Sequence, residues 1–274
     1  MKIRVVGILI FAAVLLMSLG QVVQAHNLWL NPENHYPAVG TTVDIGIGWG
    51  HTYPANRVDQ EVKEGRVEAI SAVDPDGQTV ELTQASAALY KLKVEKAGAY
   101  LIIARIKPGV FTMTPEGRKW GDKKAVANPV KCTNFHLEAK TVIIAGGKDK
   151  NLSYPTGQPL EVILLTSPHE LKGGDQLPVK VLFEGKPLSG ASIRATYAGF
   201  EEPDIAPHKA APAGGKGHHK HFPVEALTDG QGQALLPMAR SGFWMIMLTH
   251  KPPYPDPDVC DEYMYNTAFT FQVQ

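Results

Sequence analysis

Past its first 25 residues the chain has no apolar run approaching the roughly 20 residues that a membrane-spanning helix needs. No direct membrane span is expected once that leader is removed. Charge of one sign is also missing, with 27 basic residues set against 27 acidic ones. Such a balance offers no electrostatic footprint for nucleic acid or for an anionic membrane surface. Motifs of covalent chemistry are absent too: no Gly-x-Ser-x-Gly elbow, no His-Glu-x-x-His and no Gly-rich phosphate loop. A binding protein rather than an enzyme is the expectation. Cysteine is scarce. Cys132 and Cys260 stand far apart, with no Cys-x-x-Cys spacing, so one disulfide is favoured over redox or thiolate-metal roles in an oxidising compartment.

The N-terminus points to that compartment. Lys2 and Arg4 precede the apolar stretch VVGILIFAAVLLMSLG, which ends in VQA. This is the layout of a secretory signal peptide over residues 1–25, cut after Ala25. A soluble, periplasmic protein beginning at His26 follows.

What remains is patterned for strands. TVDIGIGWG, RVEAISAVDPDGQTVEL, ALYKLKVEKAGAYLIIARI and EAKTVIIAG are short runs rich in Val, Ile, Tyr and Thr. Turn signals such as Asp74-Pro75-Asp76-Gly77 and Ala97-Gly98 separate them. Tyr90, Leu92 and Val94 alternate with Lys91, Lys93 and Glu95, the period of a half-buried strand. No long amphipathic helix is evident. The expected fold is all-β, with two immunoglobulin-like or transthyretin-like β-sandwich domains, at 26–147 and 148–274, meeting near GKDKNLSYPTGQ (147–158). One elongated β domain is the alternative. The second unit carries a loop at 201–221 rich in Pro, Gly, Ala, Lys and His.

Three stretches carry a resemblance. AHNLWLNPENHYPAVGTTVDIGIGWGHTYP, PLEVILLTSPHELKGGDQLPVKVLFEGKPLSGASIRATY and TDGQGQALLPMARSGFWMIML together resemble the nickel-uptake-transporter-associated periplasmic family, a domain of unknown function. The resemblance spans nearly the whole chain after the leader. It implies an accessory component beside an energy-coupling-factor nickel transporter in the membrane. The progression GKPLSGASI, TDGQGQA, SGFW is also similar to transthyretin-like and collagen-adhesin-like sandwiches, which speaks to fold.

Histidines supply the chemistry. After cleavage His26 would hold a free α-amine and an imidazole on one residue. The amine, with an ordinary pKa near 7.7–8.0, is readily deprotonated by a bound metal. His51, in WGHTYP, is the internal residue placed to complete a nitrogen-rich, roughly planar set, which suits Ni(II) or Cu(II). The resemblance maps onto both. His35 is near His26 in sequence and is expected to line the same site. His208, His218, His219 and His221 form an auxiliary metal trap in the 201–221 loop. His136 reads as a surface position on a strand, His169 as structural, and His250 as a residue that could reach an interdomain site. Met245 and Met247 share one strand face and read as core. The functional expectation is a Ni(II)-binding accessory protein of nickel uptake. Alternatives are a structural or adhesive protein with incidental histidines, and a copper carrier or enzyme with an N-terminal histidine brace.

Overall fold

The computed structural model describes residues 27–50, 53, 62–200 and 222–274. Eighteen strands run through them. The first six are β1 (Asn27–Pro32), β2 (Thr42–Gly50), β3 (Val67–Val73), β4 (Thr79–Val80), β5 (Thr83–Ser86) and β6 (Leu89–Lys93). Next come β7 (Gly98–Ile106), β8 (Gly109–Thr114), β9 (Gly117–Trp120), β10 (Lys131–Ala145), β11 (Leu160–Leu164) and β12 (Gln176–Phe183). The last six are β13 (Lys186–Pro187), β14 (Ser192–Tyr197), β15 (Val224–Leu227), β16 (Gln233–Pro237), β17 (Gly242–His250) and β18 (Glu262–Val273). The protein is all-β, as its alternating sequence runs lead one to expect, and no helix among the described residues is long and apolar enough to cross a membrane.

The strands form three layers. A first sheet has the order β1-β2-β6-β5, and a third is built from β11, β12, β13 and β16. Between them lies a ten-stranded sheet whose main path is β15-β14-β17-β18-β10-β7-β3-β4, with the β8–β9 hairpin on β10. One face of the middle sheet packs on the first sheet through Leu28, Leu30, Ile45, Leu92, Tyr100, Ile102 and Ile143. Its other face packs on the third sheet through Leu101, Val142, Ile144, Val162, Val179, Trp244 and Phe269. Both faces of β7 and β10 are therefore apolar in their covered parts, which explains the near-continuous Val, Ile and Leu of LIIARI and TVIIA.

Residues 147–158 lie in the link from β10 to β11. The two sandwiches are not separate bodies, however, because they share the middle sheet. β10 and β18 pair in parallel, from Thr133 opposite Glu262 to Thr141 opposite Thr270. The chain's last strand thus completes the sheet begun by its first half. At the start of this ladder Cys132 and Cys260 are disulfide-bonded, 128 residues apart in sequence. Asp261 reinforces the junction, accepting from the Cys132 amide at 2.8 Å and from Lys123 Nζ at 2.5 Å.

Two turns are built alike. In D-P-D-G-Q the Asp74 carboxylate accepts from the amides of Asp76 and Gln78, both at 2.9 Å, and in D-G-Q-G-Q Asp229 accepts from Gln231 and Gln233, both at 2.8 Å. Gly77 and Gly232 close them with φ of 78° and 74°, a conformation open to glycine at little cost.

Because the disulfide closes so long a loop, its removal acts chiefly on the unfolded chain. Cys132→Ala together with Cys260→Ala is expected to lower unfolding stability by roughly 2–5 kcal/mol. Urea denaturation of the variant beside the oxidised protein measures this.

Candidate metal site

The end of the β1–β2 ladder brings two sequence-distant segments together. Asn27 pairs with Gly50, Leu28 with Trp49 and Trp29 with Gly48. The residue before Asn27 is His26 and the residue after Gly50 is His51, both outside the described residues. Gly50 has φ 152°, which a side chain disfavours, so the glycine of the Gly-His pair sets the chain direction at this point. Gly48 has a different role. A Cβ there would lie 2.0 Å from the Trp29 ring, so the missing side chain makes room for a fully buried indole.

Trp29 anchors a small cluster at this end. It packs with Met245, Met247 and Ala268, and Tyr53 and Phe222 close the cluster from its edge. Tyr53 meets Trp29 edge-on at 5.9 Å and donates its hydroxyl to the Trp244 carbonyl at 2.9 Å. Phe222 lies under the Arg194 guanidinium, 4.8 Å from its ring centre. Tyr53 is two residues from His51, and Phe222 directly follows His221. Trp29, Tyr53 and Phe222, each within three residues of a histidine outside the described residues, thus share one cluster. Met245 and Met247 are buried beneath it, in the core role read from the sequence.

His35 departs from expectation. β1 is a strand, so at about 3.3 Å per residue Pro32 lies roughly 17 Å from Asn27, and His35 follows Pro32 at the far end. Closeness in sequence does not bring it to the Asn27–Gly50 end. There it is 2 % exposed, its Nδ1 donates to the Val142 carbonyl at 2.7 Å, and its ring packs on Phe243. Burial, only partly offset by that hydrogen bond, pushes the imidazole down to about 4. Its neighbour Tyr36 donates to the Gln272 carbonyl, and Ile144 donates to the His35 carbonyl, so the segment straps β10 to β18.

The auxiliary residues His208, His218, His219 and His221 lie outside the described residues, as His26 and His51 do. Among the described residues no group of three or more His, Cys, Asp or Glu is arranged to hold a metal ion. His169 packs against Tyr36 at 4.7 Å. His136 and His250 were read separately from sequence, yet each is a cross-strand neighbour of Tyr265. Only the pairing of β10, β18 and β17 reveals this, because 129 residues separate His136 from Tyr265 in the chain.

Two variants test the local design. Gly48→Ala is expected to destabilise by about 1–3 kcal/mol through collision with Trp29. Gly46→Ala, whose nearest atom would be 3.7 Å away, is expected to be close to neutral. Denaturant midpoints separate the two. The His35 shift sets a pH dependence. The unfolded imidazole titrates near 6.5 and the folded one near 4, so its contribution is complete above the first value and lost as pH falls toward the second. The loss is roughly 3 kcal/mol by pH 4. His35→Asn, whose amide can still donate to Val142, is expected to flatten stability measured across this window.

The solved structures it is similar to are distant. The D00-D0 domain of Intimin is 12% identical, with 90% of this chain and 99% of that one covered and a TM-score of 0.20. The Yersinia pseudotuberculosis adhesin InvE is 13% identical, with 90% and 58% covered and a TM-score of 0.21. Salmonella alpha-2-macroglobulin reacted with methylamine is 13% identical, with 90% and 15% covered and a TM-score of 0.24. A comparison with curated proteins returned no match. A family model, described as a domain of unknown function (DUF4198), matches residues 23–252. That span covers most of the chain, which therefore belongs to the DUF4198 family.

Proposed function

We propose that the protein is an exported, periplasmic metal-binding protein that takes up Ni(II) at its mature N-terminus and passes it to a membrane nickel transporter of the energy-coupling-factor type. The α-amine and imidazole of His26 chelate the ion, and His51 supplies a third nitrogen. The observation that carries this reading is the pairing of Asn27 with Gly50. Those two residues are the covalent neighbours of His26 and His51, so both histidines are attached to the fold at paired strand positions. The Trp29 cluster, on which Tyr53 and Phe222 also rest, supports a supplementary role for His208, His218, His219 and His221 in capturing the same cargo.

The chemistry is reversible coordination, without covalent catalysis. Metal displaces the proton of the α-amine, so binding releases protons near neutral pH and weakens on acidification. A nitrogen-rich set also accepts Cu(II), which binds more tightly than Ni(II) to most such sites whatever their purpose. Affinity therefore does not name the biological cargo; the transporter partner does.

Calorimetric titration with Ni(II) and Cu(II) tests the chelate. One extra residue before His26 moves the α-amine off the histidine and is expected to weaken both metals by about tenfold or more, as is His51→Ala. Deletion of residues 208–221 is expected to slow loading and leave the high-affinity site in place. Unchanged affinity after the N-terminal extension would exclude the chelate.

A further inference from the structure

The middle sheet presents one face that the third sheet covers only in part. Along β10 this face reads Asn134, His136, Glu138, Lys140, Val142 and Ile144. Along β18 it reads Tyr263, Tyr265, Thr267, Phe269 and Phe271. Both strands change from half-buried polar and aromatic positions to buried positions, passing through Lys140 on β10 and Thr267 on β18 as the third sheet closes over them. The uncovered part is a continuous row of rings. His136 stacks on Tyr265 at 4.9 Å with 24° between planes, and Tyr265 adjoins Tyr263 at 5.6 Å and Phe183 at 5.3 Å. Tyr254 extends the row beyond Tyr263 at 4.7 Å, and His250 lies 4.5 Å from Phe183.

Tyr265 also forms part of a cleft of about 520 Å³, with Gln158, Glu161 and Glu184 around it. The polar lining is rich in acceptors. Gln158 is only 5 % exposed; its Nε2 donates to Glu138 at 3.1 Å, and its Oε1 is buried with no partner. On the row itself Asn134 Oδ1 and His136 Nε2 are likewise buried without partners. Glu161 is committed to Lys140 at 2.6 Å and to Thr156. Glu184 stays exposed at the rim, held at φ 49° in the two-residue turn that it forms with Gly185. A non-glycine residue pays for that conformation, and Glu is not among the types that adopt it readily.

Buried acceptors without donors are costly, and a ligand that supplies donors recovers that cost. The rings ask for something different, a C–H surface that can lie flat on them. A pyranose offers both, with hydroxyl donors around its edge and a C–H face. We propose that this cleft and aromatic row bind a neutral saccharide of one to two sugar rings, the C–H face resting on Tyr265 and hydroxyls donating to Gln158 Oε1 and to the Glu184 and Glu138 carboxylates. An acidic sugar is disfavoured by those carboxylates. The volume falls in the usual range for small-ligand sites. The site rests on described residues alone and shares none with the metal reading.

The test uses the disulfide-bonded protein in excess chelator, so that metal plays no part. Maltose, cellobiose and diacetylchitobiose are titrated while ligand saturation-transfer NMR and calorimetry are recorded. At least one is expected to bind with Kd of about 1 mM or tighter. Tyr265→Leu, which keeps apolar volume and removes the ring, and Gln158→Leu are each expected to weaken it by about tenfold. Tyr265→Phe and Trp120→Ala, the latter an exposed indole away from the face, are expected to leave it within about twofold. Thermal melts of all four identify any variant that fails to fold; if Tyr265→Leu does, loss of binding in folded Gln158→Leu carries the decision. The proposal is overturned if no disaccharide binds up to about 50 mM, or if binding survives both Leu variants. It is equally overturned if choline or a lysine peptide binds in place of sugar and is released by salt, since that would make the face a cation site.

Discussion

The parallel ladder between β10 and β18 is the contact on which the remaining architecture depends. It joins a strand from the middle of the chain to its final strand, and through it the two sandwiches acquire a common sheet. Parallel strands survive where their faces are covered; here the first sheet lies on one side, and the third sheet covers the other from Lys140 and Thr267 onward. The first sheet is tied down by Thr270, whose hydroxyl donates to the Leu30 carbonyl at 2.7 Å. The third is tied down by Lys140, which reaches from β10 to Glu161 and to the Val162 carbonyl. The disulfide holds the open end of the same ladder. Fixing this one pair of strands thereby fixes where the Trp29 cluster and the Tyr265 face lie.

Lys140 and Glu161 mark the edge of the third layer. Each side chain is 2 % exposed. Burial alone would push the Glu161 carboxyl up, but Lys140 and the Thr156 donors hold it down. Such a pair does not have to add net stability, since removing two charges from water costs as much as their attraction returns. Its value lies in position. The ammonium sits over Phe269 at 5.4 Å, where polar residues on β10 give way to apolar ones, and so registers the third sheet against the middle one.

Much of this was readable from the amino acids. Alternation at Tyr90, Leu92 and Val94 identifies a one-face-buried strand, and all three are buried while Lys93 and Glu95 face solvent. The two Asp-to-Gly turns follow from side-chain acceptors that local sequence displays. Long-range pairing is not displayed in that way. Nothing in TNFHLEA or EYMYNTA announces that the two strands are neighbours, so His136, Tyr265 and His250 read as isolated residues. His35 shows the opposite error. Nine positions from His26 is near along the chain, but a strand spends that separation in one direction. Asn27 and Gly50 are register partners 23 residues apart, and no local pattern displays that pairing either.

The shared sheet also bears on how the chain reaches its native state. Thr141 and Thr270 are register partners across 129 residues, a separation at which loop-closure entropy makes early pairing unfavourable. Until Glu262–Val273 are available, β10 has an open edge, and the Trp29 cluster lacks Ala268. The nascent chain therefore cannot complete its core one sandwich at a time. Closure of the middle sheet waits on β18, so the slowest contacts to form are those most distant in sequence.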